Sequence, residues 1–177
     1  MRGDTTKNLL AEKSLVEHPF PPLYDKNSRI LILGSFPSVM SRRTQFFYGH
    51  PQNRFWKVMA AVLGCEVPQT VEQKRHMLFF HGIAVWDVLQ SCEIIGSSDA
   101  SIVSPKPNDL SEIFSCADIC AVYTNGTTSH NYYTRLCQPQ TGMAAIRLPS
   151  TSPANAAWSL ERLTEAWSVI LEFLHLD

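Results

Sequence analysis

Two segments concentrate side chains able to do chemistry. Gly34-Ser35-Phe36-Pro37-Ser38 follows an apolar run, and Phe46-Phe47-Tyr48-Gly49-His50-Pro51-Gln52-Asn53-Arg54-Phe55-Trp56 comes soon after it. Three consecutive aromatics in a loop are poor for solubility unless they pack or stack on something planar. Phe55 and Trp56 read as core, whereas Gly49-His50-Pro51 implies an exposed turn and leaves Tyr48 open to a planar partner. A third segment, Leu148-Pro149-Ser150-Thr151-Ser152-Pro153, is stiff, small and rich in hydroxyls. Taken alone it is a strand-to-helix turn with Ser152 or Asn155 as cap. Other chemistries lack their residues: there is no GxGxxG after the first strand, no GxxxxGK(S/T) and no GxSxG. The six histidines show no HExxH spacing and the cysteines form no CxxC pair, so neither metal nor cofactor is expected.

These segments need a scaffold, and the apolar pattern supplies one. Arg29 to Leu33 reads as a buried parallel strand ending at Gly34. Pro51 suits the first turn of a helix running to Leu63, with Gly64 as its stop. Thr70 can cap a helix through Phe80, and Ile83 to Leu89 is a second strand. A long loop, 91–107, leads to Asn108 as cap of a helix over Asp109–Cys116. Ile119 to Tyr123 is a third strand closed by Asn125-Gly126, a short helix spans Ser129–Leu136, and Ala144 to Leu148 is a fourth strand. The last helix runs from about Asn155 to Leu174. Alternating strands and helices predict an α/β fold: a three-layer α/β/α sandwich with a four-stranded parallel sheet. Ligands in such sheets bind beyond the C-terminal strand ends, so the loops that matter begin at Gly34, Leu89, Asn125 and Leu148.

The 177 residues favour one domain, 28–177, preceded by an extension, 1–27, whose three prolines at 19, 21 and 22 break any helix. With 45% apolar and 18% charged residues the composition is globular. No apolar run approaches the ~18 residues of a membrane span, and Met1 to Leu10 lacks the apolar core of a signal peptide. An odd number of cysteines, five, predicts reduced thiols in the cytoplasm. The net charge of −1 excludes a globally basic nucleic-acid binder. Yet Lys26 to Cys65 carries six basic residues and no acid, and 119–160 is also acid-free. That asymmetry suits one positive face toward a polyanion, or reflects strands that bury no acids.

Gly34-Ser35-Phe36-Pro37, His50-Pro51-Gln52-Asn53-Arg54-Phe55-Trp56 and Leu148-Pro149-Ser150-Thr151-Ser152-Pro153, in this order, resemble the uracil-DNA glycosylase superfamily. The deoxyinosine (hypoxanthine)-DNA glycosylase branch is the closest, and the mismatch-specific uracil/thymine glycosylases share the HPxNRFW run. The likeness covers roughly 28–172 and includes the linking strand, 82–89. It implies a monofunctional hydrolase that extrudes a deaminated base from DNA and cuts its N-glycosidic bond.

The resemblance also assigns roles. The catalytic amide of the deoxyinosine branch falls on Asn53, able to orient water, with capping of the helix start as its alternative. Tyr48 is the stacking platform, with Ser35 and Phe36 beside the base. Asp87 stands where relatives carry an Asn that reads uracil, and a carboxylate there accepts from the N1–H of hypoxanthine or the N3–H of uracil. It could equally be a buried Asp bonded to backbone. Ser150, Thr151 and Ser152 would press on the DNA backbone, Asn125 would meet phosphate or pocket, and Arg42, Arg43 and Arg54 would contact phosphates. Two departures stand out: Phe36 occupies the slot of a catalytic Asp or Asn, and Leu148 that of a His that donates to the leaving base. With no Lys in the motif loops, a Schiff-base step is not expected. The expected partner is DNA containing a deaminated base, met by a monomer with no membrane. The alternatives are a mismatch-specific uracil/thymine glycosylase, a catalytically silent damaged-DNA binder, and an unrelated α/β enzyme.

Overall fold

Ile30 to Leu33 are four consecutive apolar residues with no exposure, which requires cover on both faces of the strand. The computed structural model describes residues 12–174 and provides that cover. In chain order the strands are β1 (Ser14–Glu17), β2 (Ile30–Gly34), β3 (Ile83–Asp87), β4 (Leu89–Ile94), β5 (Val103–Pro107), β6 (Ala121–Asn125) and β7 (Ala145–Leu148). The α-helices are α1 (Val39–Thr44), α2 (Phe55–Leu63), α3 (Val71–Phe80), α4 (Ser111–Cys116), α5 (Thr127–Tyr132), α6 (Gln138–Thr141) and α7 (Leu160–Trp167). A π-helical stretch, Tyr133–Cys137, joins α5 to α6, and a 3-10 stretch, Ser168–Phe173, continues α7.

The expected four-stranded parallel sheet is present, in the order β3-β2-β6-β7. Side chains alternate across it with period two. Ile30 and Ile32 enter a core with Phe55, Trp56 and Met59 of α2, Leu78 of α3 and Trp167 of α7. Leu31 and Leu33 enter a second core with Ile113 of α4, Tyr133, and Leu89, Cys92 and Ile94 of β4. These are the two outer layers of the sandwich.

One layer contains a feature that the sequence reading did not include. β1, β4 and β5 form a second, antiparallel sheet in the order β1-β4-β5. It takes up most of the presumed loop 91–107 and, as β1, Ser14–Glu17 of the presumed extension. The described part of the presumed extension is therefore built into the fold: Phe20 and Leu23 are buried, and Leu23 bridges Val85 of β3.

Other elements differ in their bounds, for local reasons. Asn53 Oδ1 accepts from Phe55 N–H, so α2 begins at Phe55 rather than Pro51. The Thr70 cap of α3 is a full capping box with Gln73. Asn108 does not cap α4, because its side chain donates to the Asp87 carbonyl (2.9 Å). Asn155 donates instead to Ser150 O, which leaves Ser159 to cap α7 at a later start. The aromatic loop before His50 contains the short helix α1, capped by Ser38. Among the described residues no helix is long and apolar enough to cross a membrane.

Candidate active site

The C-terminal ends of β2, β3, β6 and β7 open onto one cleft of about 580 Å³. Ser35 and Phe36 line it after β2, Tyr48 and Asn53 before α2, and Asp87 at the end of β3. Asn125 lines it at the end of β6, and Ser150 and Ser152 after β7. Parallel pairing brings Gly34 level with Asp87, and β6–β7 pairing brings Asn125 level with Leu148, so segments far apart in sequence meet here.

Asn53 is held by a directed chain of hydrogen bonds. Its Oδ1 accepts from Phe55 N–H (2.9 Å) and from Thr151 Oγ1 (2.9 Å). A backbone N–H can only donate, so the amide orientation follows: oxygen inward, Nδ2 left as its free capacity. Thr151 Oγ1 in turn accepts from Asn125 Nδ2 (2.9 Å), and Asn125 Oδ1 accepts from Thr151 N–H (3.0 Å). Thr151 is fully buried, so the DNA-backbone contact expected of it gives way to a positioning role. With both lone pairs of Oδ1 occupied, Asn53 offers the cleft donors, able to hold a water or substrate oxygen.

The Leu148–Pro153 loop that supplies Thr151 is fastened from below. Arg54 Nη2 donates to Ser152 O and Asn155 O (both 3.0 Å), and Nη1 donates to Trp158 O. Trp167 Nε1 donates to Pro149 O (2.9 Å). Arg54 thus clamps the loop, which corrects its expected phosphate contact. Arg42 donates to Gly96 O (2.8 Å) and its guanidinium lies 5.9 Å from the Phe36 ring centroid. Arg43 is exposed and makes no side-chain hydrogen bond among the described residues, which leaves it open to a phosphate. Ser150 and Ser152 brace the turn, their hydroxyls accepting from Ser152 N–H (3.1 Å) and Ala154 N–H (3.2 Å).

Across the cleft, Asp87 is 4% exposed. Its Oδ2 lies 2.7 Å from His18 Nε2, and its Oδ1 faces Gly34 so closely that a Cβ built there would sit 2.3 Å away. Only glycine tolerates that approach. Tyr48 stacks on Phe55, with centroids 3.8 Å apart and planes at 16°, and its backbone is left-handed (φ 52°). A non-glycine residue held there carries strain of order 1 kcal/mol. Its hydroxyl is buried with no partner at hydrogen-bonding geometry among the described residues, and burial, then the charge of Asp87, raises its pKa well above the usual tyrosine range against a smaller lowering by the Asn125 side chain. The hydroxyl therefore remains a proton donor. Phe36 is buried against the second core and forms an apolar wall. Ser35 donates to Asp99 (3.0 Å to each carboxylate oxygen), a residue of the β4–β5 connection that also lines the cleft.

A sequence model described as the uracil DNA glycosylase superfamily matches residues 21–172. The chain belongs to this superfamily. It is 32% identical over 158 residues to a protein of Methanosarcina acetivorans named hypoxanthine DNA glycosylase, covering 88% of this chain and 98% of that one. It is 35% identical over 115 residues to a protein of the same name from Methanosarcina barkeri, covering 64% of this chain and 73% of that one. A solution NMR structure of a proposed uracil DNA glycosylase from M. acetivorans superposes with a TM-score of 0.75 at 31% identity, covering 89% of this chain and 96% of that one.

Three residues of this superfamily member's site escaped the sequence reading: His18, Asp99 and Asn108. His18 is 69 positions from Asp87, and Asp99 is 64 from Ser35, so no local spacing links either pair. Asn108 carried a signal, a polar residue before a helix, that fitted a cap equally well. Among the described residues no group of three or more His, Cys, Asp or Glu side chains is arranged to hold a metal ion.

Proposed function

We propose that this chain is a monofunctional DNA glycosylase that removes deaminated bases, hypoxanthine from deoxyinosine first. The observation that carries the proposal is the Asn53 amide, fixed by Thr151 and Phe55 N–H at a cleft that also holds an acceptor, Asp87, and an aromatic ring, Tyr48. The names of the two relatives support the choice of base.

The extruded base stacks on Tyr48, a contact that contributes about 1–3 kcal/mol. Asp87 accepts its ring N–H. Asn53 holds a water by donating from Nδ2. The water oxygen bonds to C1′ as the bond from C1′ to N9 breaks, and that electron pair leaves on the base; the attacking water gives up one proton to solvent and the base takes one up from solvent, so the hydrolysis balances. The products are free hypoxanthine and an abasic site. Leu148 has no donor to offer, so stabilising the departing base falls to backbone N–H groups or another side chain of the cleft. The enzyme acts as a monomer, with Arg43 on the phosphates.

The N3–H of uracil meets Asp87 as well as the N1–H of hypoxanthine does, which favours uracil in mismatches as the second substrate. Alkali cleavage of duplexes carrying deoxyinosine, deoxyuridine or neither, with the native protein beside Asn53→Ala, tests both. Cleavage at deoxyinosine that vanishes in the variant is expected. Cleavage at deoxyuridine alone would move the activity to the mismatch branch, and binding without cleavage would make the protein a damage sensor.

A further inference from the structure

His18 stands behind Asp87. Asp87 lines the cleft and His18 does not, yet His18 Nε2 lies 2.7 Å from Asp87 Oδ2, with the two side chains 2% and 6% exposed. The ring sits among Phe20, Phe36, Phe47 and Trp86, with centroids 4.6 to 6.3 Å away. Backbone bonds set both ends of the pair: His18 N–H donates to Gln90 O (2.6 Å), and Asn108 Nδ2 donates to the Asp87 carbonyl (2.9 Å).

The placement of the proton follows from what the ring can reach. His18 Nδ1 is buried with no hydrogen-bond partner among the described residues. A proton on Nδ1, in the other tautomer or in the imidazolium, would be a buried donor with nothing to receive it. The Nε2–H tautomer avoids this, donates to Oδ2 and leaves Asp87 without a proton. A carboxylate in that state only accepts.

We propose that His18 is a positioning residue for base selection: from behind the cleft it keeps Asp87 an acceptor-only carboxylate, so that the site takes bases with N–H at the Watson–Crick ring nitrogen and refuses adenine and cytosine. This rests on the glycosylase reading above. Deamination makes the difference being read. It turns N1 of adenine, a lone pair, into the N1–H of hypoxanthine, and N3 of cytosine into the N3–H of uracil. The lone pairs of the parent bases meet the carboxylate unfavourably. Guanine also carries N1–H and passes this test, so its exclusion lies elsewhere in the cleft.

The test compares the native protein, His18→Phe, which fills the aromatic box without a donor, and His18→Gln, which restores one. Each is made alone and with Asp87→Asn. Single-turnover release from deoxyinosine is expected to fall about tenfold or more in His18→Phe, from the loss of one hydrogen bond to a charged group, and to recover in part in His18→Gln. In the Asp87→Asn background His18→Phe should cause no further fall. Binding to undamaged duplex should stay at the native level in all variants. Imidazole 15N spectra should show His18 protonated at Nε2, with a shift on Asp87→Asn.

A His18→Phe protein with native rate and native deoxyinosine preference would overturn the proposal. So would an equal fall in the Asp87→Asn background, or an Nδ1-protonated His18. If the native protein releases no base from any duplex, the glycosylase reading fails and the selection role with it, while the 15N spectra still report whether Asp87 governs the His18 proton.

Discussion

On one wall of the cleft, Asn125, Thr151 and Asn53 form a neutral chain in which each acceptor is matched to a donor and one amide nitrogen remains for the ligand. On the other wall, Asp87 and Tyr48 bring a carboxylate and a buried hydroxyl, backed by a histidine; among the described residues the hydroxyl and the histidine Nδ1 have no hydrogen-bond partner. A satisfied chain resists rotation, because turning any member breaks two bonds; it suits the step in which an oxygen must be held in place. Unpaired groups cost stability until something meets them, so they suit recognition, where the ligand completes the set. On the proposed function, the two walls divide the work into positioning and reading.

The largest effect is expected at the end of the neutral chain. Asn53→Asp keeps an oxygen for Phe55 N–H and Thr151 but loses the Nδ2 donors, so it should be as poor as Asn53→Ala, about 10²- to 10³-fold slower in base release. An active Asn53→Asp enzyme in single-turnover assays would show that an acceptor does the work and erase the contrast. On the reading wall, Gly34→Ala puts a Cβ 2.3 Å from Asp87 Oδ1. The carboxylate or strand must shift, lowering stability by about 1–3 kcal/mol in thermal melts and weakening release from deoxyinosine. Thr151→Val keeps the shape and removes both the donor to Asn53 and the acceptor of Asn125. A loss of about 1–3 kcal/mol and slower turnover are expected, with Thr151→Ser restoring both.

Smaller effects sharpen the division. Tyr48→Phe removes a buried hydroxyl with no partner at hydrogen-bonding geometry among the described residues, so the melting temperature should hold or rise. A fall in base release without a fall in stability would place that hydroxyl on the substrate. Arg43→Ala should reduce the slope of log DNA affinity against log salt by about one, whereas Arg54→Lys should lower the melting temperature and leave that slope unchanged. Equal slopes for the two variants would return Arg43 to the bland surface.

The parallel sheet was legible because Ile30–Leu33, Ile83–Val85 and Ala121–Tyr123 are short apolar runs, buried on both faces. The antiparallel sheet was not. β5 reads Val-Ser-Pro-Lys-Pro, with two residues that cannot donate to a ladder, and β1 pairs with β4 across 74 to 80 positions, from Glu17 with Ser91 to Ser14 with Ile94. The motif loops were correctly placed at the strand ends, but their members changed roles on folding. Thr151 and Arg54 look like ligands for DNA in a linear reading and turn inward as supports.

The amino-acid sequence by itself determined the alternation of strands and helices and the loops after Gly34 and Leu148 that carry polar and aromatic side chains to the strand ends, because periodicity, turn residues and motif spacing are local. Tertiary structure decided what those groups have left to offer. Whether an amide donates or accepts, and which atoms of a carboxylate are already taken, depends on partners such as Thr151 and His18, brought within 3 Å from 98 and 69 positions away. Such distances in sequence are closed by the packing of whole layers, and no spacing along the chain records them.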